Sequence, residues 1–172
     1  MKSVKSFLEK FRDVVETRIE SLKISEKDKT FFRHVDHFDK CEFRIDFLTH
    51  DTLSYQLLEI VMHSPTLKFS TDDSENIDRI CHTVTEKISY LSENLRIIGM
   101  DKINNLAQIR SYPPYQSEKQ RLFFQAILDF NDGAFILNRR LLYLDSHVMT
   151  KTPFVVSREI MERLVADLVD LK

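Results

Sequence analysis

The stretch DFNDGAF, Asp129 to Phe135, holds one of only two glycines in the chain and links two long apolar runs, RLFFQAILDF and AFILNRRLLYL. An Asp-Gly pair suits the two central positions of a type I′ turn, which need positive φ and whose twist matches an antiparallel hairpin. A two-residue loop at Asp132 and Gly133 predicts that Asn131 pairs with Ala134 and Phe130 with Phe135. Further out, Leu128 meets Leu137, Ala126 meets Arg139, Phe124 meets Leu141 and Leu122 meets Tyr143, so one face is almost wholly apolar. A three-residue loop would set Phe124 against Arg140 and Ala126 against Asn138. A buried face disfavours that slip, because a shift of one residue turns every side chain over. The turn therefore organises two long antiparallel strands.

The flanking segments follow from periodicity. NNLAQIRSYPPY reads as extended and is stopped by Pro113 and Pro114, which cannot donate to a central ladder. Downstream, Ser157 caps a helix whose Ile160, Met161, Leu164, Val165, Leu168 and Leu171 form one apolar stripe. At the start of the chain, Phe7, Leu8, Phe11, Val14, Val15, Ile19 and Leu22 form another. Cys41, Phe43, Ile45 and Phe47 alternate with Glu42, Arg44 and Asp46, the pattern of a strand with one wet face. Residues 26–39 suit a short helix capped by Ser25 or an extended segment. The run TLSYQLLEIVMHSP also fits both, with helix slightly favoured by Leu53, Leu57, Leu58, Val61 and Met62. TLKFS reads as a short strand.

The acidic STDDSENI then caps a long helix with a heptad-like seam of Ile77, Cys81, Val84, Ile88, Leu91 and Leu95. This seam either docks on a sheet or pairs with the same helix of a second subunit. The segments LLEIVMHSPTLKFSTDDSENIDRI and LLYLDSHVMTKTPFVVSREIMERL share a leucine pair, a later Phe, a capping Ser and an Ile, which fits either a duplication or a common succession of elements. Together these elements predict an α+β fold, a mainly antiparallel sheet with amphipathic helices packed on one face, as a single domain over residues 1–172.

Composition narrows the function classes. With 172 residues, 42% hydrophobic and 30% charged, the chain can bury a core of its own. Two glycines leave no room for a Rossmann fingerprint or a P-loop. A net charge of -2, with only a mild basic excess between Arg96 and Lys151, makes nucleic acid an unexpected partner. No stretch has the continuous apolar core of a signal peptide or membrane span, so a cytoplasmic location with no membrane partner is expected. Cys41 and Cys81, without CxxC spacing, read as reduced structural thiols.

Local chemistry is sparse. His34 and His37 would share a face and could hold a metal only if their segment were helical; in a strand they point apart. Cys81 on the apolar seam is an inert core thiol. Arg139 falls on the apolar face of the hairpin, where its charge needs a partner such as Glu59, Asp145 or Glu162. With Arg110, Tyr112, Tyr115 and Arg140 it can instead form a guanidinium and aromatic patch that binds an anionic group. The first expectation is a non-catalytic protein-binding module or adaptor, self-associating as a homodimer through the Ile77 to Leu95 seam or holding a protein partner. The second is a small-molecule sensor using the Arg/Tyr patch, and the third an enzyme whose site assembles only in the fold. No cofactor is expected.

Overall fold

The computed structural model describes residues 3–17, 22–26, 29–51 and 53–171. Helix α1 (Val4–Thr17) precedes a meander of β1 (Leu22–Glu26), β2 (Lys29–Phe38), β3 (Cys41–His50) and β4 (Ser54–His63). Helix α2 (Ser74–Lys87) precedes β5 (Leu95–Asp101), β6 (Leu106–Ser111), the short β7 (Tyr115–Gln116), β8 (Gln120–Asp129) and β9 (Ala134–Tyr143). The chain then forms β10 (Met149–Thr152), β11 (Phe154–Ser157) and α3 (Arg158–Val169).

All pairings are antiparallel, and the order across the sheet is β1-β2-β3-β4-β9-β8-β6-β5. Two helix-plus-meander units therefore lie back to back across the β4–β9 pair. The succession of elements repeats, but in a different alignment from the one the sequence suggests. The sequence alignment sets β4 and the following α2 against β9 and α3, whereas the repeated unit runs from α1 through β4 and from α2 through β9. Beyond Asn138 the strands β4 and β9 part, and β10 pairs with β9 while β11 pairs with β4.

One set of strand side chains builds the core. Phe43, Ile45 and Phe47 of β3, Leu57, Ile60 and Met62 of β4, Phe135 and Leu137 of β9, and Phe124, Ala126 and Leu128 of β8 belong to a single buried cluster. Phe7, Leu8 and Phe11 of α1, Ile77, Ile80, Cys81 and Val84 of α2, and Met161, Leu164, Val165 and Leu168 of α3 join it. Each such large side chain contributes roughly 1.5–3 kcal/mol through burial. Ser157 caps α3 as expected, accepting from the Ile160 N–H at 3.1 Å. In the N-terminal stripe, Ile19 lies outside the described residues, and Leu22 belongs to β1 rather than to the helix.

Several segments depart from their sequence reading. Residues 29–38 are extended, the second of the two readings. β4 is a strand, not a helix. It is buried on both faces along most of its length, and an extra residue, Leu58, breaks the register against β3, so its apolar residues no longer alternate. TLKFS is not a strand: Ser64 caps a 3₁₀ turn over Pro65–Leu67 and buries Leu67. The α2 seam ends early, at Lys87. Ser92 with φ 63° reverses the chain, and Leu95 opens β5, which the helical reading had absorbed.

The hairpin at DFNDGAF keeps its expected faces but shifts its pairing by two residues. Asp129 meets Ala134, Leu128 meets Phe135, Ala126 meets Leu137 and Phe124 meets Arg139, around a loop of Phe130 to Gly133. The Asp129 carboxylate accepts from the backbone N–H of Asn131 and of Asp132, at 3.0 and 3.2 Å, and starts the turn two residues earlier than a type I′ loop at Asp132 and Gly133 would. Phe130 is buried and clamped, its N–H donating to Asn105 O and its carbonyl accepting from Phe69 N, each at 3.1 Å.

Candidate functional site: an arginine-rimmed groove

The strand side chains that point away from the core carry a polar row across the sheet. Directly opposed residues run Arg33, Asp46, Glu59, Asn138, Gln125, Arg110, Arg96. Read outward from the central β4–β9 pair, the two halves match by position: Glu59 corresponds to Asn138, Asp46 to Gln125 and Arg33 to Arg110. The first half carries carboxylates where the second carries amides.

The consequence is electrostatic. Arg33 holds Asp46 in a two-pronged pair at 2.7 and 2.8 Å. Glu59 accepts from Arg44 at 2.7 Å, Lys151 at 2.6 Å and Asn138 at 2.9 Å. Burial alone would raise the Glu59 pKa, but the bonds from Lys151 and Asn138 and the charges of Lys151 and Arg44 outweigh it and hold the group below the usual glutamate value. In the second half, Arg110 lies between the Gln125 amide and the Arg96 guanidinium, with no carboxylate opposite it in the row. With its amide oxygen turned toward the guanidinium, Gln108 accepts from Arg110 at 2.8 and 3.3 Å. Burial, and then the like charge of Arg140, lower the Arg110 pKa. Among the described residues, no ion pair engages Arg96, Arg110, Arg121 or Arg140, and the Arg140 Nε is buried without a hydrogen-bond partner.

These cations border an open groove of about 370 Å³, within the range of small-ligand sites. Phe123, Leu142, Met149 and Ile98 give it an apolar lining, and Arg110, Arg121, His147 and Tyr112 supply polar groups. Arg110 lies over the Phe123 ring at 4.9 Å and Arg96 over the Tyr112 ring at 4.5 Å, which holds both guanidinium planes in place. Arg140 stands beside the groove, directly opposite Phe123 on β8 and Lys151 on β10.

The expected Arg/Tyr patch is thus brought together in part. Arg110 and Tyr112 line the groove and Arg140 adjoins it, whereas Tyr115 sits exposed on β7 and does not line it. Arg139 lies on the core side, as adjacent strand residues must alternate; its guanidinium bonds Glu93 at 2.6 Å and lies 5.2 Å from the Phe124 ring centre. It is a structural ion pair, and Glu93 was not among the partners foreseen. Phe123, Arg121, Leu142, His147 and Met149 were missed, because the β9–β10 hairpin that gathers them leaves no strong turn signal in LDSHVMT.

The other candidates resolve as structure. His34 is buried against Phe11 at 5.7 Å, while His37 is exposed and pairs with Glu42; a strand places them on opposite faces, so they cannot share an ion. Among the described residues, no group of three His, Cys, Asp or Glu side chains is placed to hold a metal. Ile77, Cys81, Val84, Ile88, Leu91 and Leu95 are all buried in the chain's own core. Both cysteines are free and buried, and burial pushes the Cys81 thiol up to about 11. No helix among the described residues is long and apolar enough to cross a membrane. No family model matches the chain, and no curated protein or solved structure is significantly similar to it.

Proposed function

We propose that the chain is a non-catalytic binding module that holds its ligand or partner through an anionic group set beside an apolar body, in the groove between Arg110, Arg140 and Phe123. In this reading the helices back one face of the sheet and the other face does the binding. The observation that carries it is the unmatched half of the polar row. Arg33 has Asp46 as its counter-ion, and the equivalent Arg110 has Gln125 and a second guanidinium. A carboxylate or phosphate entering here would replace the missing counter-charge with charge-assisted hydrogen bonds, each contributing about 1.5–3 kcal/mol, while Phe123, Leu142 and Met149 take up the apolar part.

The test uses inorganic phosphate, benzoate and decanoate as probes in thermal unfolding. At least one is expected to stabilise the protein by mass action, with Arg110→Gln and Arg140→Gln each removing the effect. Gln125→Glu, which places in the second half the carboxylate type that the first half already has, should remove it too while leaving the protein folded. Equal stabilisation of all three variants by every probe would sink the reading, since the response would then be a general salt effect.

A further inference from the structure

We infer that β5 is a self-complementary edge through which two copies of the chain join their sheets, antiparallel, about a two-fold axis between Ile98 and Gly99. This interface shares Ile98 and Arg96 with the edge of the groove but does not depend on what fills it. Among the described residues β5 ends the strand order and pairs with β6 alone, so its other side carries backbone groups with no strand partner among them. In LRIIGMD, pairing about that axis sets Arg96 against Asp101 of the second copy, Ile97 against Met100, and Ile98 against Gly99. Each contact occurs twice, as a two-fold interface requires.

Three local features fit this pairing. First, the register break between Ile97 and Gly99 makes Ile98 an extra residue, so Arg96 and Asp101 lie on the same face, opposite Arg110 and Leu106 of β6. In an unbroken strand these positions, five apart, would face opposite ways and could not form the pair. Edge bulges often turn a strand away from partners; this one aligns the charges instead. Second, Ile98 is a 48% exposed apolar side chain, and the place where a Gly99 side chain would stand is open, with nothing within 4 Å. Third, an open groove of about 390 Å³ adjoins Gly99, lined by Met100, Leu106, Gln108 and Ile127. Ile98 of the second copy fits over Gly99 at the mouth of that groove. A two-fold axis perpendicular to the sheet keeps matching faces on the same side, so a knob on one copy meets the gap on the other. Apart from Asp101, β5 carries no acid that would repel the second copy.

Sedimentation velocity in low salt, without added anions, over protein concentrations up to about 1 mM reads the association, and amide chemical shifts on dilution locate it. A concentration-dependent dimer is expected, with shift changes concentrated in Leu95–Asp101. Ile98→Glu and Arg96→Glu should each weaken it at least about tenfold with circular dichroism and thermal midpoint retained. Asp101→Asn keeps an oxygen for the turn bonds from Ile103 N and Asn104 N and should lose the salt dependence of dimerisation. A wild-type protein that stays monomeric throughout, or a dimer undiminished by Ile98→Glu, overturns the inference.

Discussion

Replacing Gly133 by Ala tests how the central hairpin is locked. Gly133 sits at φ 67°, in the left-handed region, where an L-residue costs about 1–2 kcal/mol. An added Cβ would also collide with the carbonyl oxygen of Ser64 and lie 2.8 Å from Lys68 Cγ. The lysine can swing aside, but Ser64 cannot do so freely, because its N–H donates to Gly133 O at 2.8 Å. Weakening that bond adds roughly 1 kcal/mol, for a total of roughly 2–4 kcal/mol. For a domain of this size that is a fall in thermal midpoint of roughly 5–15 °C. Urea unfolding should show a lowered midpoint with an unchanged slope, marking a loss of stability without a change in the folded or unfolded surface. Gly133→Asn separates the two causes, since Asn tolerates the left-handed region but still carries a Cβ. If Gly133→Ala lost less than about 0.5 kcal/mol, or if Gly133→Asn matched the wild type, close approach to Ser64 would not be what makes glycine necessary here.

Glu59→Gln should destabilise the protein by roughly 1–3 kcal/mol near neutral pH, less than for a wholly buried pair because Arg44 and Lys151 are 33% and 39% exposed. Because the folded-state Glu59 pKa is lowered, its contribution is present above the ordinary glutamate value and lost as pH falls through the lowered one, so the gap between mutant and wild type should narrow in acid unfolding scans. Arg139→Met should cost roughly 1–3 kcal/mol by stranding Glu93, yet leave anion-dependent stabilisation intact; loss of that response without destabilisation would put Arg139 back in the site. Ser157→Ala should cost roughly 0.5–2 kcal/mol in denaturant unfolding, through loss of the α3 cap.

What the sequence reveals follows from how far each residue's environment depends on near neighbours. α1, α3 and β3 were legible because each sets apolar residues on one side and polar ones on the other, and the 3.6 and 2.0 periods report that directly; the faces of the β8–β9 hairpin followed from the apolar row of Phe124, Ala126, Leu128, Phe135 and Leu137. β4 was not, because it lies in the middle of the sheet with core on one side and the polar row on the other, and Leu58 interrupts its alternation. The hairpin register was missed by two residues for a related reason: DG favours a tight turn locally, but Asn105, Phe69 and Ser64, distant in sequence, hold the loop open around a buried Phe130. For the site, Arg110, Tyr112 and Arg140 could be picked out by type and position. The fate of Arg139 turned on Glu93, which the sequence placed within a helix that does not reach it.

The proposed function rests on a contrast within the polar row of a fold whose two halves share one plan. A charged row across a sheet is stable when each cation has its carboxylate, as Arg33 has Asp46. At the corresponding place in the second half Gln125 keeps a similar shape and hydrogen-bonding ability, and its amide lies 3.1 Å from that of Gln108, but the negative charge is gone. The sheet does not collapse over the deficit, because Phe123 and Tyr112 hold Arg110 and Arg96 by their rings rather than by charge. Those same contacts keep the guanidinium groups at the edge of an apolar groove instead of free in water, where an arriving anion would gain little over its hydration. Gln125→Glu therefore asks a sharper question than deleting an arginine. If one added carboxylate removes anion binding and raises stability without anions, the second half works because it lacks the counter-charge that its partner half retains. If stability falls and binding persists, the amides at Gln125 and Gln108 hold the row together for its own sake, and the missing counter-charge is not what draws the anion.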